Sequence, residues 1–375
     1  MLTLLRVKEV HTPDPSGHRE VFVANGRIVA LGDDLPVPPG LPVEVVELAG
    51  GIAVPGFIDQ HVHVTGGGGE GGFSTRCPAL TAKEIVAVGI TTVVGVLGTD
   101  SVSRSPADLL ARTRGLREEG ISAYMYTGAY RIPPPTLTGD VQRDLAWIPE
   151  VIGVGEIAIS DHRSAQPTDA EIARLVSEAR IGGMLARKRG ICHFHVGSGR
   201  RGLAPLRTLL RETEIPPDQV IPTHVNRHRR LLEEAAAYAL EFGASVDVTA
   251  FDFPDRNAVG AVDAVHYLVD AGVPVARITM SSDCNGSLPE FDDAGRLVGM
   301  RMATNRALLA DWQGLVRAGR LGFADALSLI TRNVAQVLGL AETKGRLAPG
   351  WDGDITVLGP DLAPAAVFVG GRRLL

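Results

Sequence analysis

Lysine is almost absent from this 375-residue chain: Lys8, Lys83, Lys188 and Lys344 are the only ones, and the rest of its 37 Lys and Arg side chains are arginine. Cysteine is scarcer still. Cys77, Cys192 and Cys284 are an odd number with no CxxC spacing, which argues against a disulfide framework or a thiolate zinc site and fits a reducing compartment. Net positive charge is missing too. The balance is −6, with no basic stripe of the kind that tracks a phosphate backbone, so nucleic acid is not an expected partner. No apolar run reaches membrane-spanning length, and the opening MLTLLRVKEVHTPDPSG meets acidic residues and proline too early for a signal-peptide core. A soluble, cytoplasmic protein without membrane contact is expected.

What is present is an ordinary globular balance, 45% hydrophobic and 21% charged, in a chain long enough for one large domain and an appendage. Near the start, MLTLLRVKEVHT, REVFVANGRIVALG and PVEVVELAG read as short strands between Gly, Pro and Asp turns. The far end, GRLAPGWDGDITVLGPDLAPAAVFVGGRRLL, has the same character. Residues 1–52 and 344–375 are therefore expected to build one small β-sandwich around a catalytic unit spanning 53–343.

Inside that unit, apolar β-branched runs alternate with helical stretches. The runs are GFIDQHVH, TTVVGVLGT, SAYMYTGAY, VIGVGEIAIS, GICHFHVG, QVIPTHV, ASVDVTA and RITMSSD. Helices are recognisable in TAKEIVAVG, SPADLLARTRGLREEG, DAEIARLVSEARIGGMLARK, LAPLRTLLRE, RRLLEEAAAYALEFG and AVDAVHYLVDAG. Eight such repeats predict an α/β fold, a (β/α)₈ TIM-like barrel. A doubly wound open sheet is the alternative, and needs a glycine-rich phosphate fingerprint after its first strand.

Barrel enzymes place their chemistry at the C-terminal ends of the strands. Strand one ends in His61 and His63, which lie on one side of an extended strand and can grip one ion together. Strand five ends in His195, strand six in His224 and strand eight in Asp283. Any one of these is more often a hydrogen-bonded structural residue than a ligand. Four histidines and an aspartate at the same end of four different strands make a metal site the better reading. Imidazoles with a carboxylate suit zinc, with manganese, iron and cobalt also compatible. His193, one residue pair deeper on strand five, is a rival read as packing outside the ligand set. His162, His228 and His266 are read as solvated or capping.

The HVH pair after PGFIDQ, the strand-five and strand-six histidines and the strand-eight aspartate resemble the amidohydrolase superfamily. Within it, HVHVTGGGGE, GVLGTDS, TGAY, ISDHRSA, PTHVNR and SSDCNGS are similar to segments of isoaspartyl dipeptidases, across roughly residues 55–287. The resemblance implies a homo-oligomeric metallo-dipeptidase that binds two divalent ions. His61 and His63 would hold one, His195 and His224 the other, with Asp283 beside a bridging water. It implies hydrolysis of β-aspartyl dipeptides to aspartate and an amino acid through a metal-bridging hydroxide. Asp283 would move the proton and Tyr130 would assist the carbonyl oxygen. Glu70 would bind the α-ammonium, Thr99 and Arg163 the α-carboxylate, and Arg227 and Ser287 the C-terminal residue. A zwitterionic substrate does need an acid for its ammonium and arginines for its carboxylates.

The sequence departs from this family at strand four, where the resemblance implies a lysine whose carbamate bridges the metals. The run VIGVGEIAISDHR has none. Counting back from Arg163 puts Glu156 at that position, and counting forward from Val151 puts Gly155 there, so one residue is inserted. Glu156 is the candidate bridge, and a bulge beside Gly155 would carry its shorter stem inward. The alternative is a mononuclear site. Other functions to weigh are N-acyl-D-amino acid or cyclic amide hydrolysis, and a non-catalytic scaffold.

Overall fold

The computed structural model describes residues 2–252, 257–291 and 297–375. At the N-terminus, alternating apolar residues make a strand, Leu2–Val10, that pairs antiparallel with Glu20–Ala24 and parallel with Val43–Pro55. The C-terminal strands Ile355–Leu358, Pro364–Val369 and Arg372–Arg373 join the same sheet, Ile355 lying opposite Pro55, to give seven strands with Arg27–Gly32 at the far edge. Its ends curve together: Ile28 N donates to the Trp351 carbonyl and Gly353 N to that of Gly26, both at 2.8 Å. The curved sheet encloses its own core, including Leu5, Val21, Val23, Ile355, Val357 and Phe368. Strands from both ends of the chain thus share one sheet.

All eight barrel strands form where the apolar runs lie: Phe57–Val62, Ile90–Gly95, Ser122–Thr127, Val151–Ile159, Ile191–Val196, Val220–Thr223, Val246–Thr249 and Ile278–Ser281. Strands one to six make one parallel sheet in sequence order, and seven pairs with eight. Val225 N donates to the Asp247 carbonyl across the seam between six and seven, at 3.3 Å. His63 N donates to the Cys284 carbonyl between eight and one, at 2.9 Å. Side chains staple the same seams. Buried Asp247 accepts from Gln60 at 2.6 Å, from Thr223 and Thr279 at 2.7 Å, and from Ser281. Asp59 accepts from Ser282, and burial pushes its carboxyl up to about 6.

The six helices read from the sequence are present, several with explicit start signals. Ser105 caps the helix Pro106–Glu118, and Thr168 with Glu171 forms a capping box on Asp169–Ala186. Four further helices were not foreseen: Val141–Trp147, Arg306–Ala318, Phe323–Ser328 and Arg332–Leu338. So was a hairpin after strand eight, Ser287–Phe291 against Leu297–Met302. The glycine-rich stretch Gly66–Gly72 leads into a 3₁₀ turn, Phe73–Thr75, and the sequential strand order with strand eight closing onto strand one removes the doubly wound alternative. His266 also corrects an expectation. It is buried, because it sits on the inward face of the helix Ala261–Asp270. No helix among the described residues is long and apolar enough to cross a membrane.

Lys344 ties the β-unit to the barrel. Its ammonium donates to Ser122, at the start of strand three, and to Asp354, and pairs with Asp352, at 2.6–2.8 Å. Burial opposes the charge, but Asp354 and Asp352 outweigh it and raise the Lys344 pKa. Replacing one partner of a buried ion cluster leaves the others uncompensated. Lys344→Met should therefore cost about 3–5 kcal/mol in urea unfolding, and a loss under about 1 kcal/mol would show the tether to be dispensable.

Candidate metal centre and cavity

The strand ends bring the four expected histidines, Glu156 and Asp283 together. His61 and His195 project from strands one and five while His63 lies just past strand one. His224 and Asp283 lie just past strands six and eight with φ of 61° and 51°. Left-handed backbone is uncommon for such residues and concentrates at functional sites.

Strand four shows the expected irregularity. Val154 lies opposite Cys192 and Ile157 opposite Phe194, so three steps on strand four match two on strand five, which places a bulge at Gly155 and Glu156. The bulge delivers the Glu156 carboxylate between the histidine pairs. Oε2 lies 2.9 Å from His195 Nδ1, 3.2 Å from His224 Nε2 and 3.4 Å from His61 Nε2. Oε1 lies 3.9 Å from His63 Nε2. Asp283 Oδ1 stands on the other side, 3.4 Å from His61 Nε2 and 3.2 Å from His63 Nε2. Burial alone would raise the Glu156 pKa, yet His61 and His195 hold it well below the usual carboxylate range.

These residues fit divalent cations. Ligand atoms of His61, His63 and Glu156 lie within 4.8 Å of one another, as do those of Glu156, His195 and His224, and those of His61, His224 and Asp283. Glu156 is shared by the first two groups. His61 Nε2 is buried without a hydrogen-bond partner among the described residues and faces two carboxylates. A lone pair with no donor, flanked by anionic oxygens, is a setting that a cation completes.

The imidazole nitrogens of His61 and His224 that face away from the cluster are held in place. His61 Nδ1 meets His193 Nε2 at 2.9 Å, and His193 stacks on Tyr126, consistent with packing outside the ligand set. His224 Nδ1 meets Thr249 Oγ1 at 2.7 Å. His228 caps its helix by accepting from Leu231 N, and His162 is exposed.

Above the cluster lies a cavity of about 460 Å³ whose lining includes every remaining candidate: Glu70, Thr99, Tyr130, Arg163, Arg227 and Ser287. Glu70 Oε1 accepts from Ser287 Oγ at 2.8 Å and lies 3.6 Å from Arg163 Nη1. Tyr130 OH is 2.9 Å from His195 Nδ1. Burial, then the charge of Glu156, raise its pKa well above the usual value, so it stays protonated. Arg227 donates through Nε to the Val196 carbonyl. Phe251, Leu288 and Met300 supply an apolar wall.

Two residues in this region escaped the sequence reading. Asp161 grips Arg163 through both oxygens and meets His195 Nε2 at 3.0 Å. Its one sequence signal is its position two residues before Arg163. Buried Arg104 donates to the carbonyls of Gly67, at 2.8 Å, and Gly68, at 3.3 Å, fixing the loop that carries Glu70. That loop needs glycine: Gly66 has φ +82°, and side chains at Gly66 and Gly67 would strike the carbonyls of Cys77 and Asn285.

Comparison with known proteins gives a consistent picture. Residues 52–374 match the Amidohydrolase family. The β-aspartyl dipeptidase of the thermophilic, keratin-degrading Fervidobacterium islandicum AW-1, in complex with β-Asp-Leu dipeptide, is 39% identical, aligned over 100% of this chain and 96% of that one, with a TM-score of 0.93. Another structure of a β-aspartyl dipeptidase from that organism is 37% identical over 100% and 97%, with a TM-score of 0.91. A dihydroorotase from Pelotomaculum thermopropionicum is 26% identical, over 95% of this chain and 88% of that protein.

Removing the Arg104 guanidinium should free the glycine loop. Arg104→Met takes a donor from the carbonyls of Gly67, Gly68 and Cys77, at a cost of about 1–3 kcal/mol for each one left unpaired. A raised KM, with kcat little changed, is expected because Glu70 loses its fixed position. An unchanged KM would show that the loop holds itself.

Proposed function

Because the chain belongs to the amidohydrolase family, a metal-dependent family of hydrolases, and aligns end to end with β-aspartyl dipeptidases, we propose that it hydrolyses β-aspartyl dipeptides to aspartate and an amino acid. The observation that carries this reading is the pairing of opposite charges on the cavity wall. Glu70 and Arg163 lie side by side above the ligand cluster, as an α-ammonium and α-carboxylate on one carbon require.

In this reading His61 and His63 would hold one ion and His195 and His224 the other, with Glu156 as a ligand common to both groups. Zinc suits this donor set. Such ions, when bound, polarise the scissile carbonyl and make a water acidic enough to act as nucleophile near neutral pH. Asp283 takes up the proton and returns it to the leaving amine. Its Oδ1 lies 3.4 Å from His61 Nε2 and 3.2 Å from His63 Nε2, where a carboxylate can serve as a base. Tyr130, protonated, donates to the developing oxyanion. Glu70 receives the ammonium, Thr99 and Arg163 the α-carboxylate, and Arg227 and Ser287 the C-terminal residue. The Thr99 hydroxyl is buried without a partner among the described residues, which suits an incoming carboxylate oxygen.

A cyclic-amide substrate is the second reading, favoured by the similarity to a dihydroorotase. A substrate panel separates the two. β-Aspartyl dipeptides should be cleaved, and N-acetylated or α-linked counterparts slower by roughly 10²-fold, since each leaves a charge on the cavity wall poorly matched. Preference for dihydroorotate or a hydantoin would overturn the proposal. Glu156 has its own test. The protein should bind two metal ions per chain without dependence on bicarbonate, and Glu156→Ala should bind one. Unchanged metal content in that variant would refute the bridge.

A further inference from the structure

We propose that Asp161 is a positioning residue that couples the metal centre to the substrate anchor: one carboxylate sets the tautomer of His195 and fixes the guanidinium of Arg163. The inference rests on the dipeptidase reading for its substrate half and on the ligand cluster for its metal half.

His195 turns Nδ1 toward the cluster, 2.9 Å from Glu156 Oε2, and Nε2 toward Asp161 Oδ2 at 3.0 Å. A neutral imidazole has one N–H and one lone pair. For Nδ1 to offer its lone pair to a cation, Nε2 must carry the proton and give it to an acceptor. The surroundings of Nε2 work against this. Arg163 Nη2 lies 3.3 Å away and Arg227 Nη2 3.4 Å away, and both are donors only. Left alone, they would favour a lone pair on Nε2 and the proton on Nδ1, the wrong tautomer for a ligand. Asp161 is the only obligate acceptor among the described groups within 3.5 Å of Nε2, and it reverses that preference.

The same carboxylate shapes Arg163. Oδ1 accepts from the Arg163 backbone N at 2.8 Å and from Nε at 3.0 Å, and Oδ2 accepts from Nη2 at 2.9 Å. One edge of the guanidinium is thereby occupied. Nη1 is left facing the cavity beside Glu70, 3.6 Å from Oε1. A substrate carboxylate meets a fork whose direction is already fixed, which lowers the ordering cost of binding.

Asp161 is itself held. It is 7% exposed, its carbonyl accepts from Gln166 Nε2 at 2.8 Å, and any side chain at position 197 would collide with it. Its two contacts with the Arg163 guanidinium favour the anion this role needs.

The test compares Asp161→Asn, Asp161→Glu and Arg163→Met by metal content per chain, the visible absorption of the cobalt-substituted protein, and kcat and KM on a β-aspartyl dipeptide. Asp161→Asn should bind metal roughly 10- to 100-fold more weakly, change the cobalt spectrum, and raise KM roughly tenfold or more. Asp161→Glu keeps the charge but moves it by one methylene; it should fold and show the same defects. Arg163→Met should raise KM while leaving metal content and spectrum as in the unmodified protein. Unaltered metal binding and spectrum in both Asp161 variants would overturn the proposal. Metal loss without any change in KM would also overturn it, since the two sites would then be uncoupled. If the unmodified protein cleaves no β-aspartyl dipeptide, the dipeptidase reading fails, whereas metal content and spectrum still decide the role of Asp161 toward His195.

Discussion

The mouth of the barrel is organised around one buried carboxylate. Glu156 is 1% exposed, and its Oε2 approaches three imidazoles within 3.4 Å. An anion so enclosed is unfavourable unless cations or donors surround it, so the positions of His61, His195 and His224 are tied to its own. A glutamate stem is shorter than a lysine carbamate by roughly 3 Å on ordinary bond lengths. The extra residue in strand four meets this shortfall by bulging the backbone toward the axis. Beyond the bulge Ala158 pairs with His195, and the chain turns at Ser160, φ 51°, to bring Asp161 back to the same histidine. One local irregularity therefore supports the floor of the site and sets the approach to its rim.

The four lysines complement this arrangement. Lys8 and Lys83 are exposed. Lys188 donates to the carbonyls of Leu145, Ile148 and Val151, just before strand four, and burial lowers its pKa to about 8. Lys344 is committed to Asp352 and Asp354. Positive charge at the cavity comes from Arg104, Arg163 and Arg227 instead. An arginine stays charged at any working pH and presents several donors in a fixed plane, so it can be held by one edge while offering another. Arg163 does this with Asp161. A lysine there would offer one mobile point charge.

The barrel was legible because parallel strands are buried on both faces and appear as continuous apolar runs. The candidate ligands were legible because a histidine or aspartate that closes such a run is conspicuous. Even the bulge left a trace, as a one-residue surplus between Val151 and Arg163. Other features left little trace. Val141–Trp147 is too short for a helical period to emerge. Arg104 lies far along the chain from the glycines it holds, and only the fold brings them together. The burial of His266 depends on which face of its helix turns inward. Asp161 sat within a recognised segment, but its contacts depend on a side chain folding back over two residues.

The charges of the cavity bear on linkage as well as on composition. Glu70 and Arg163 face each other at 3.6 Å, so each partly neutralises the other. A ligand that brings an ammonium and a carboxylate on a single carbon replaces this one long contact with two closer ones. A β-linked aspartyl residue carries both groups, because its amide is made through the side chain. An α-linked aspartyl residue has used its α-carboxylate in the amide and keeps its free carboxylate one methylene further out, so it would meet less well a charge pair matched to two groups on a single carbon. Truncating one partner of a desolvated charge pair is penalised mainly through the charge left behind. Under the proposed function, the same two side chains would favour a β-linked substrate over its α-linked isomer through charge placement alone.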